Sequence, residues 1–380
     1  MKRIVAMMLA LCLTAGMITG CAGKPAETTK APAENTKAPE ETKAPEDTKA
    51  PEDAGSELAL VIDVGTIDDK SFNQGSWEGL KKYGDEKGLT YKYYKSADAS
   101  TADFKNTIDL AIEGGAKVVV CPGFLFEEPI YDQQKAYPDV KFILIDGEPH
   151  DASYNYETTA NTMAVLYQED QAGFLAGYAA VKDGYTKLGF MGGMALPAVV
   201  RFGYGFLAGA EQAASELGVK VEVMYTYTGS FDATPEAQSM ATGWYQAGTE
   251  VIFGCGGAVG NSVMSAAEAC GAKVIGVDVD QSGESETVIT SAMKMLSNSV
   301  YDAIASVYDG SFPGGKTTVF TIANDGVGIA METAKWNSFT QADYEAIYQK
   351  LVSGEVTTGC DADKAIEELS FTSVTVTEVK

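Results

Sequence analysis

LALVIDVGTIDDKSFNQGSWEGLKKYGDEK, residues 58–87, contains the clearest indication of the fold of this chain. It begins with five apolar residues, continues into a polar loop with glycine and aspartates, and ends in a helical pattern from Phe72 to Lys87. A short apolar run without polar alternation is typical of a strand buried on both faces, as in a parallel sheet covered by helices. The stretch therefore predicts a strand, a loop and a helix, which together form the first part of a βαβ unit.

The same alternation of apolar runs and helical stretches continues along the chain. The further apolar runs are KVVVCPG (117–123), KFILIDG (141–147), KLGFMGG (187–193), EVIFGCGG (250–257) and KVIGVDVD (273–280). Because this part of the chain exceeds what one hydrophobic core usually holds, we expect two domains. The pattern predicts an α/β fold of two doubly wound parallel-sheet lobes joined by a hinge. The predicted boundaries are 57–165 plus about 290–320 for the first lobe, and 166–289 plus about 321–380 for the second.

The N-terminal region predicts export and a lipid anchor. In residues 1–20 two cationic side chains precede an apolar run that is too short to span a bilayer, and small residues lead directly into Cys21. This arrangement resembles a bacterial lipobox and predicts cleavage before Cys21, followed by lipidation of its sulfur. Residues 21–56 are rich in Pro, Thr, Lys and Glu, and they repeat TKAP four times. Such a segment buries too little apolar surface to fold, so it is expected to be a disordered tether on the extracytoplasmic face of the cell membrane.

Charge and cysteine content exclude several classes of function. The formal net charge is −25, and no cluster of lysines or arginines occurs, so nucleic acid is not an expected partner. Cys121, Cys255, Cys270 and Cys360 are widely separated and have no CxxC spacing. Neither a zinc site nor a dense disulfide framework is indicated, and buried free thiols are expected, although a single disulfide remains open.

Aspartates follow several predicted strands at the point where each strand ends. Asp63 comes after LALVI, Asp146 after KFILI, and Asp278 near the end of KVIGVDVD. In open α/β sheets ligands bind at the carboxyl ends of the strands, so we expect these carboxylates to meet in the cleft between the lobes. Any one of them could instead serve only as a turn former.

A set of longer motifs carries a family resemblance. The motifs are DVGTIDDKSFNQGSWEGLKK (63–82), NTMAVLYQEDQAGFLAGYAA (161–180), VVRFGYGFLAGAE (199–211), SFDATPEA (230–237), FGCGGAVGNSVMSAA (253–267), IGVDVDQ (275–281) and TSAMK (290–294). In order and length they resemble the basic membrane protein family of substrate-binding lipoproteins. The resemblance implies lobes like those of type I periplasmic binding proteins and a purine nucleoside as ligand, either adenosine, guanosine or inosine. It also implies an ABC transporter permease as partner, and we expect a monomer.

The resemblance further implies roles for individual residues. An aromatic residue from each lobe would enclose the purine, and the matching positions are Phe72 and Phe231. Asn73 offers a donor and an acceptor for the edge of the base, and Lys294 would donate to the sugar. Gly257 is expected to allow a close approach of the backbone to the ligand. The three strand-end aspartates can accept hydrogen bonds from ribose hydroxyls or ring N–H groups.

Four further residues in these motifs are weaker candidates. Phe202 has the spacing of an inward-facing helix residue. Asp68, Asp69 and Asp280 are expected to cap helices or to fix loops. A nucleotide phosphate would face several carboxylates with one lysine, so the acidic cleft favours uncharged nucleosides.

Catalysis is not expected. The chain has one histidine, His150, in the turn-like stretch GEPHDAS, where a solvent-exposed side chain is expected. No catalytic triad, HExxH motif or Cys-His zinc cluster can be assembled, and no metal or cofactor is predicted. Two alternatives stay open. One is a sugar or autoinducer receptor of the same fold, and the other is a nucleoside hydrolase that uses the cleft carboxylates.

Overall fold

The computed structural model describes residues 55–380, and the predicted signal peptide, Cys21 and most of the predicted tether lie outside that range. Within it the strands are β1 (Leu58–Ile62), β2 (Tyr91–Lys95), β3 (Val118–Pro122), β4 (Lys141–Ile145), β5 (Thr162–Tyr167), β6 (Lys187–Gly192), β7 (Val221–Tyr227), β8 (Val251–Cys255), β9 (Lys273–Asp278), β10 (Val288–Lys294), β11 (Lys316–Phe320), β12 (Val327–Ile329) and β13 (Val374–Glu378). The helices are α1 (Phe72–Lys87), α2 (Thr101–Glu113), α3 (Glu127–Ala136), α4 (Glu169–Lys182), α5 (Pro197–Leu217), α6 (Pro235–Gln246), α7 (Val259–Cys270), α8 (Leu296–Asp309) and α9 (Gln341–Val352).

These strands form two separate sheets, one in each lobe. Within the described part of the chain, the first sheet has six strands in the order β11-β5-β4-β3-β1-β2, all parallel. The second has seven strands in the order β12-β10-β9-β8-β6-β7-β13, in which only β12 runs antiparallel to its neighbour. This arrangement confirms the predicted α/β class with two doubly wound lobes.

The central strands are buried because helices cover both faces of each sheet. Every residue of β1, β3 and β8 is buried, which agrees with their uninterrupted apolar sequences. The edge strand β2, with the sequence YKYYK, is half-buried or exposed along its length. Lysines on an edge strand also hinder pairing with a second chain.

The chain passes between the lobes after β5, after β10 and after β11. Backbone hydrogen bonds hold these crossings side by side, since Gln168 N donates to Phe320 O and Met295 N donates to Gly326 O. The predicted start of the returning segment, at about residue 290, differs from the structure. β10 continues the second sheet beside β9, and the chain re-enters the first lobe only with α8, which packs on α1.

The folded part begins before the predicted end of the tether. Ser56 is buried, and its N–H donates to Gly114 O at 2.8 Å. Among residues 55–380, none of the helices combines the length and the apolar character that crossing a membrane requires.

Candidate functional site

A cavity of about 450 Å³ lies between the carboxyl ends of the two sheets. All eight predicted ligand-binding residues line this cavity: Asp63, Phe72, Asn73, Asp146, Phe231, Gly257, Asp278 and Lys294. Further lining residues include Thr66, Asp69, Phe124, Leu196, Val199 and Phe202. Since both lobes contribute walls, a molecule in the cavity would contact the two lobes together.

The loop between β1 and α1 forms one polar wall. Asp63 follows β1 and accepts a hydrogen bond from Gly65 N at 3.2 Å. Asp69 accepts from three backbone N–H groups at the start of α1, those of Ser71, Asn73 and Gln74, and so caps this helix as predicted. The cap places Asn73 against the cavity, where its Oδ1 is buried and has no hydrogen-bond partner among the described residues.

Phe72 and Phe231 enter the cavity from opposite lobes. Phe72 is the first residue of α1, and Phe231 lies in the loop between β7 and α6. The Phe231 ring packs directly on glycine backbone, because a Cβ on Gly193 would lie 2.5 Å from Phe231 Cδ1. At Gly257, which has φ +53°, a Cβ would lie 3.1 Å from Phe231 O. Gly193 therefore leaves the space that the ring occupies, and Gly257 leaves space for the backbone and Cβ of Phe231.

Asp146 and Asp278 adopt a backbone conformation that is uncommon for residues other than glycine. Their φ angles are 62° and 67°, and each stands at the carboxyl end of a strand, β4 and β9 respectively. Aspartate tolerates the left-handed region better than most residues do. The conformation turns the chain sharply where the strand ends, and both side chains line the cavity.

Lys294, the last residue of β10, is the centre of a buried ionic cluster. Its Nζ donates to Asp146 Oδ2 at 2.5 Å and lies 3.6 Å from Asp278 Oδ1. It also lies 3.7 Å from Glu169 Oε1 and 4.5 Å from the centre of the Phe72 ring. Since Asp146 belongs to the first lobe and Lys294 to the second, the lysine joins the two lobes beside the cavity.

Burial changes the acidity of the groups around the cavity. Desolvation raises the pKa of Asp63, and it raises the pKa of Asp69 to about 6 against the opposing effect of three backbone N–H groups. Desolvation also raises the pKa of Asp146, which the Lys294 ammonium offsets only in part. For Lys294 burial acts to lower the pKa, but the surrounding carboxylates outweigh it and raise the pKa, so the ammonium stays charged.

The expectation of an exposed His150 is wrong. Its ring is buried, Nε2 lies 3.1 Å from Glu127 Oε2, and the ring stacks on Tyr154. The loop after β4 folds back over the start of α3, which a local reading of GEPHDAS does not reveal. His150 is not among the described residues that line the cavity.

The cysteines and the acidic groups add no metal site in the described range. All four cysteines of residues 55–380 are free; Cys121 and Cys255 are buried as expected, whereas Cys270 is exposed and Cys360 is half-buried. Burial raises the pKa of Cys121 and Cys255 well above the ordinary thiol value. No group of three or more His, Cys, Asp or Glu side chains in this range has the geometry to hold a metal ion. The three carboxylates around Lys294 instead surround an ammonium group.

Glu169 and Arg201 are not among the residues predicted for the site. Glu169 is fully buried as the first residue of α4, and its Oε2 accepts from Arg201 Nε at 2.6 Å. An acid in the first turn of a helix is common, so Glu169 carried no distinctive signal. Arg201 did carry one, because it is the only arginine in the sequence after Arg3. Arginine is preferred over lysine where a planar donor must hold a buried carboxylate.

Comparisons with known proteins agree with this architecture. Residues 56–361 match the family model described as Bmp, the PnrA-like substrate-binding protein of ABC transporters. A relative from Lactococcus lactis, named ABC transporter nucleoside-binding protein BmpA, is 31% identical and covers 73% of this chain and 82% of its own length. Basic membrane protein D of Borreliella burgdorferi is 28% identical and covers 77% of this chain and 82% of its own length.

Solved structures extend the likeness to the fold. A solute-binding protein of an ABC transporter system from Aeropyrum pernix K1 superposes with a TM-score of 0.70 at 25% identity, and the match covers 79% of this chain and 92% of that one. Its fold is that of type I periplasmic binding proteins. The family model, the relatives and the shared fold agree, and the chain belongs to the PnrA-like (basic membrane protein) family of ABC transporter substrate-binding proteins, which are not enzymes.

Proposed function

We propose that the cavity binds a purine nucleoside, adenosine, guanosine or inosine, for import through an ABC transporter permease. The observation that carries the proposal is the pairing of two phenylalanines from opposite lobes with a strongly acidic polar wall. A planar base stacks favourably on aromatic rings, with about 1–3 kcal/mol per base. The name of the Lactococcus lactis relative, a nucleoside-binding protein, supports the same ligand class.

The unpaired polar atoms of the cavity fit the two parts of a nucleoside. Asn73, like Phe72, lines the cavity, and its Oδ1 is suited to accept from an N–H on the base edge. Asp146 Oδ1, also buried and without a hydrogen-bond partner in residues 55–380, is suited to accept from a sugar hydroxyl. A buried acceptor without a partner costs about 1–3 kcal/mol, so a ligand that supplies these donors gains affinity.

The charges around the cavity oppose nucleotides. Asp63, Asp69, Asp146 and Asp278 line it, whereas Lys294 is the one cation among its described lining residues. A phosphate group would be repelled by these carboxylates in a partly desolvated space, at a cost of several kcal/mol. The proposal is therefore limited to uncharged nucleosides.

We also propose that the protein acts on the extracytoplasmic face of the cell membrane, anchored by lipid on Cys21. The apolar N-terminus and the residues before Cys21 support this location. The name of the Borreliella burgdorferi relative, a basic membrane protein, agrees with it. A radiolabelled fatty acid should be incorporated into the expressed full chain, and Cys21→Ser should abolish the incorporation.

Titration calorimetry on the purified full chain tests the ligand. We expect saturable heat with at least one of adenosine, guanosine and inosine, and none with the matching monophosphate at the same concentration. Ribose is titrated in parallel to separate a nucleoside receptor from a sugar receptor. Chromatography of the nucleoside mixtures should recover the intact nucleoside, since released base would indicate a hydrolase. Absence of heat with all three nucleosides would refute the proposal.

A further inference from the structure

Glu169 is a fully buried carboxylate whose two oxygens face two different cations. Oε2 accepts from Arg201 Nε at 2.6 Å, and Oε1 lies 3.7 Å from Lys294 Nζ. Oε1 has no hydrogen-bond partner among the residues that the structure describes. A buried charge is costly unless it is paired, so this geometry makes Glu169 dependent on both cations.

The charged groups around Lys294 indicate how Glu169 affects the position of its ammonium group. The ammonium is bonded to Asp146 on the side of the first lobe, and Glu169 and Asp278 lie on the side of the second lobe at longer distances. Without Glu169 the attraction of Lys294 toward Asp146 would be less opposed, because opposite charges at such a distance attract each other far more strongly in a buried site than in water. Glu169 therefore draws Lys294 away from Asp146 and toward the middle of the cluster.

Arg201 makes this arrangement rigid. It lies on α5, whereas Glu169 begins α4. Burial acts to lower the pKa of Arg201, but the carboxylates of Glu169, Asp146 and Asp170 together raise it, so the guanidinium stays charged. A guanidinium holds a carboxylate in a fixed orientation better than an ammonium does. The second oxygen of Glu169 is thereby directed at Lys294.

Glu169 acts from behind the cavity and not within it. Lys294 and Asp146 line the cavity, whereas Glu169 is absent from its described lining residues and is fully buried. It starts the first helix after the chain crosses from the first lobe to the second. Glu169 would therefore affect a bound ligand only through the position of Lys294.

We propose that Glu169, fixed by Arg201, is a positioning residue that sets where Lys294 presents its N–H donors, and so determines how strongly the protein prefers ligands with sugar hydroxyls. The inference rests on the proposed nucleoside function. Glu169 would then contribute to ligand specificity without contacting the ligand.

The test compares two ligands that differ only in the sugar. Affinities for inosine and 2′,3′-dideoxyinosine are measured by calorimetry on the full chain and on Glu169→Gln. The Gln side chain keeps the size and an oxygen for Arg201 but removes the charge. We expect inosine to bind about 10–100-fold more weakly, as when the partner that orients a ligating side chain is removed, with little change for the dideoxynucleoside. A parallel loss for both ligands, or no loss, would overturn the proposal.

Asp170→Asn is the matched control. Asp170 is the next residue of the same helix turn, is partly buried, and its Oδ2 accepts from Thr358 Oγ1, away from the cavity. The control should keep the wild-type ratio of the two affinities. If Asp170→Asn changes that ratio as much as Glu169→Gln does, the change results from removing a negative charge from α4 in general. Glu169 would then have no specific role in positioning Lys294.

A ligand-free measurement separates this inference from the nucleoside proposal. The free energy of unfolding is measured for Glu169→Gln, for Lys294→Met and for the double variant. We expect the effects to be non-additive, because the two residues share one cluster. Additive effects would refute the link between Glu169 and Lys294 even if inosine fails to bind. Failure of inosine binding to the wild type, with non-additive effects retained, would refute only the nucleoside ligand.

Discussion

At the scale of single residues, the site combines strained backbone with unpaired polar atoms. Asp146 and Asp278 hold positive φ angles, which cost of the order of 1–3 kcal/mol each. Asn73 Oδ1 and Asp146 Oδ1 are buried acceptors without partners in the described part of the chain. Such costs persist where the surrounding structure enforces them, and here they coincide with the walls of the cavity.

Phe231 provides the sharpest single-residue prediction. Phe231→Leu keeps an apolar side chain but removes the ring, so inosine should bind about 5–150-fold more weakly, equivalent to about 1–3 kcal/mol of stacking. Phe231→Tyr should keep most of the affinity.

The control is Phe312→Leu, a partly buried phenylalanine that contacts Lys141 and does not line the cavity among the described residues. It should leave inosine binding unchanged in calorimetry. Unaltered affinity in Phe231→Leu would show that this ring does not stack on the ligand.

At the scale of elements, the contact between α4 and α5 determines where Glu169 and Arg201 meet. Gly173 and Gly177 of α4, and Gly205 and Gly209 of α5, bring the two backbones together. A Cβ on Gly209 would lie 1.9 Å from Phe174 O, so no larger residue fits without separating the helices. Glycine at four-residue spacing lies on one face of each helix, which explains why all four positions are needed.

Gly209→Ala should therefore destabilise the protein. Overpacking of a close contact costs about 1–3 kcal/mol, and the melting temperature of the full chain in thermal denaturation should fall accordingly. Gly243→Ala in α6 is the control, because no atom lies within 4 Å of its added Cβ. There the lower backbone entropy of the unfolded chain should give a neutral or slightly stabilising effect. Equal melting temperatures for the two variants would contradict the packing argument.

Helices and strands differ in how well their sequences predict them. The helix from Phe72 to Lys87 has the predicted bounds, because glycine at the left-handed C-cap, Gly88, follows a regular helical pattern. The edge strands β2 and β13 were not predicted. Their sequences, YKYYK and VTVTE, place polar residues at the solvent-facing edge, where the uninterrupted apolar signal of a central strand is missing.

At the scale of the whole molecule, direct contacts join the lobes beside the cavity. Ser71 Oγ of the first lobe donates to Asp278 Oδ2 of the second at 2.5 Å. Gln281 Nε2 donates to Lys70 O at 2.7 Å. A ligand that contacts both lobes would add to these bonds, so we expect ligand binding and closure of the lobes to stabilise each other.

Ser71→Ala should weaken ligand binding although the Ser71 side chain is not expected to contact the ligand. A hydrogen bond to a charged group contributes about 1.5–3 kcal/mol, and its loss lowers the population of the arrangement that binds. The apparent affinity for inosine should fall about 10–100-fold, while small-angle scattering at saturating inosine should match the wild type.

Ser76→Ala is the control for this variant. Ser76 is buried like Ser71, but it lies within α1 and its hydroxyl donates to Phe72 O of the same helix. It should retain wild-type affinity. If both serine variants bind inosine as the wild type does, the Ser71–Asp278 bond does not contribute to closure.

The two α/β lobes can be predicted from local sequence patterns, because buried parallel strands have uninterrupted apolar sequences. The sequence also indicated the strand-end aspartates, since ligands of such sheets bind at the carboxyl ends. Folding is what brings Lys294 to Asp146 and Glu169, pairs Arg201 with Glu169 and buries His150. These side chains lie far apart in the chain or on facing loops, and their charges are paired only when the two sheets and the α4–α5 contact have formed. Local sequence patterns do not indicate which distant side chains will pair, so these contacts are seen only in the folded chain.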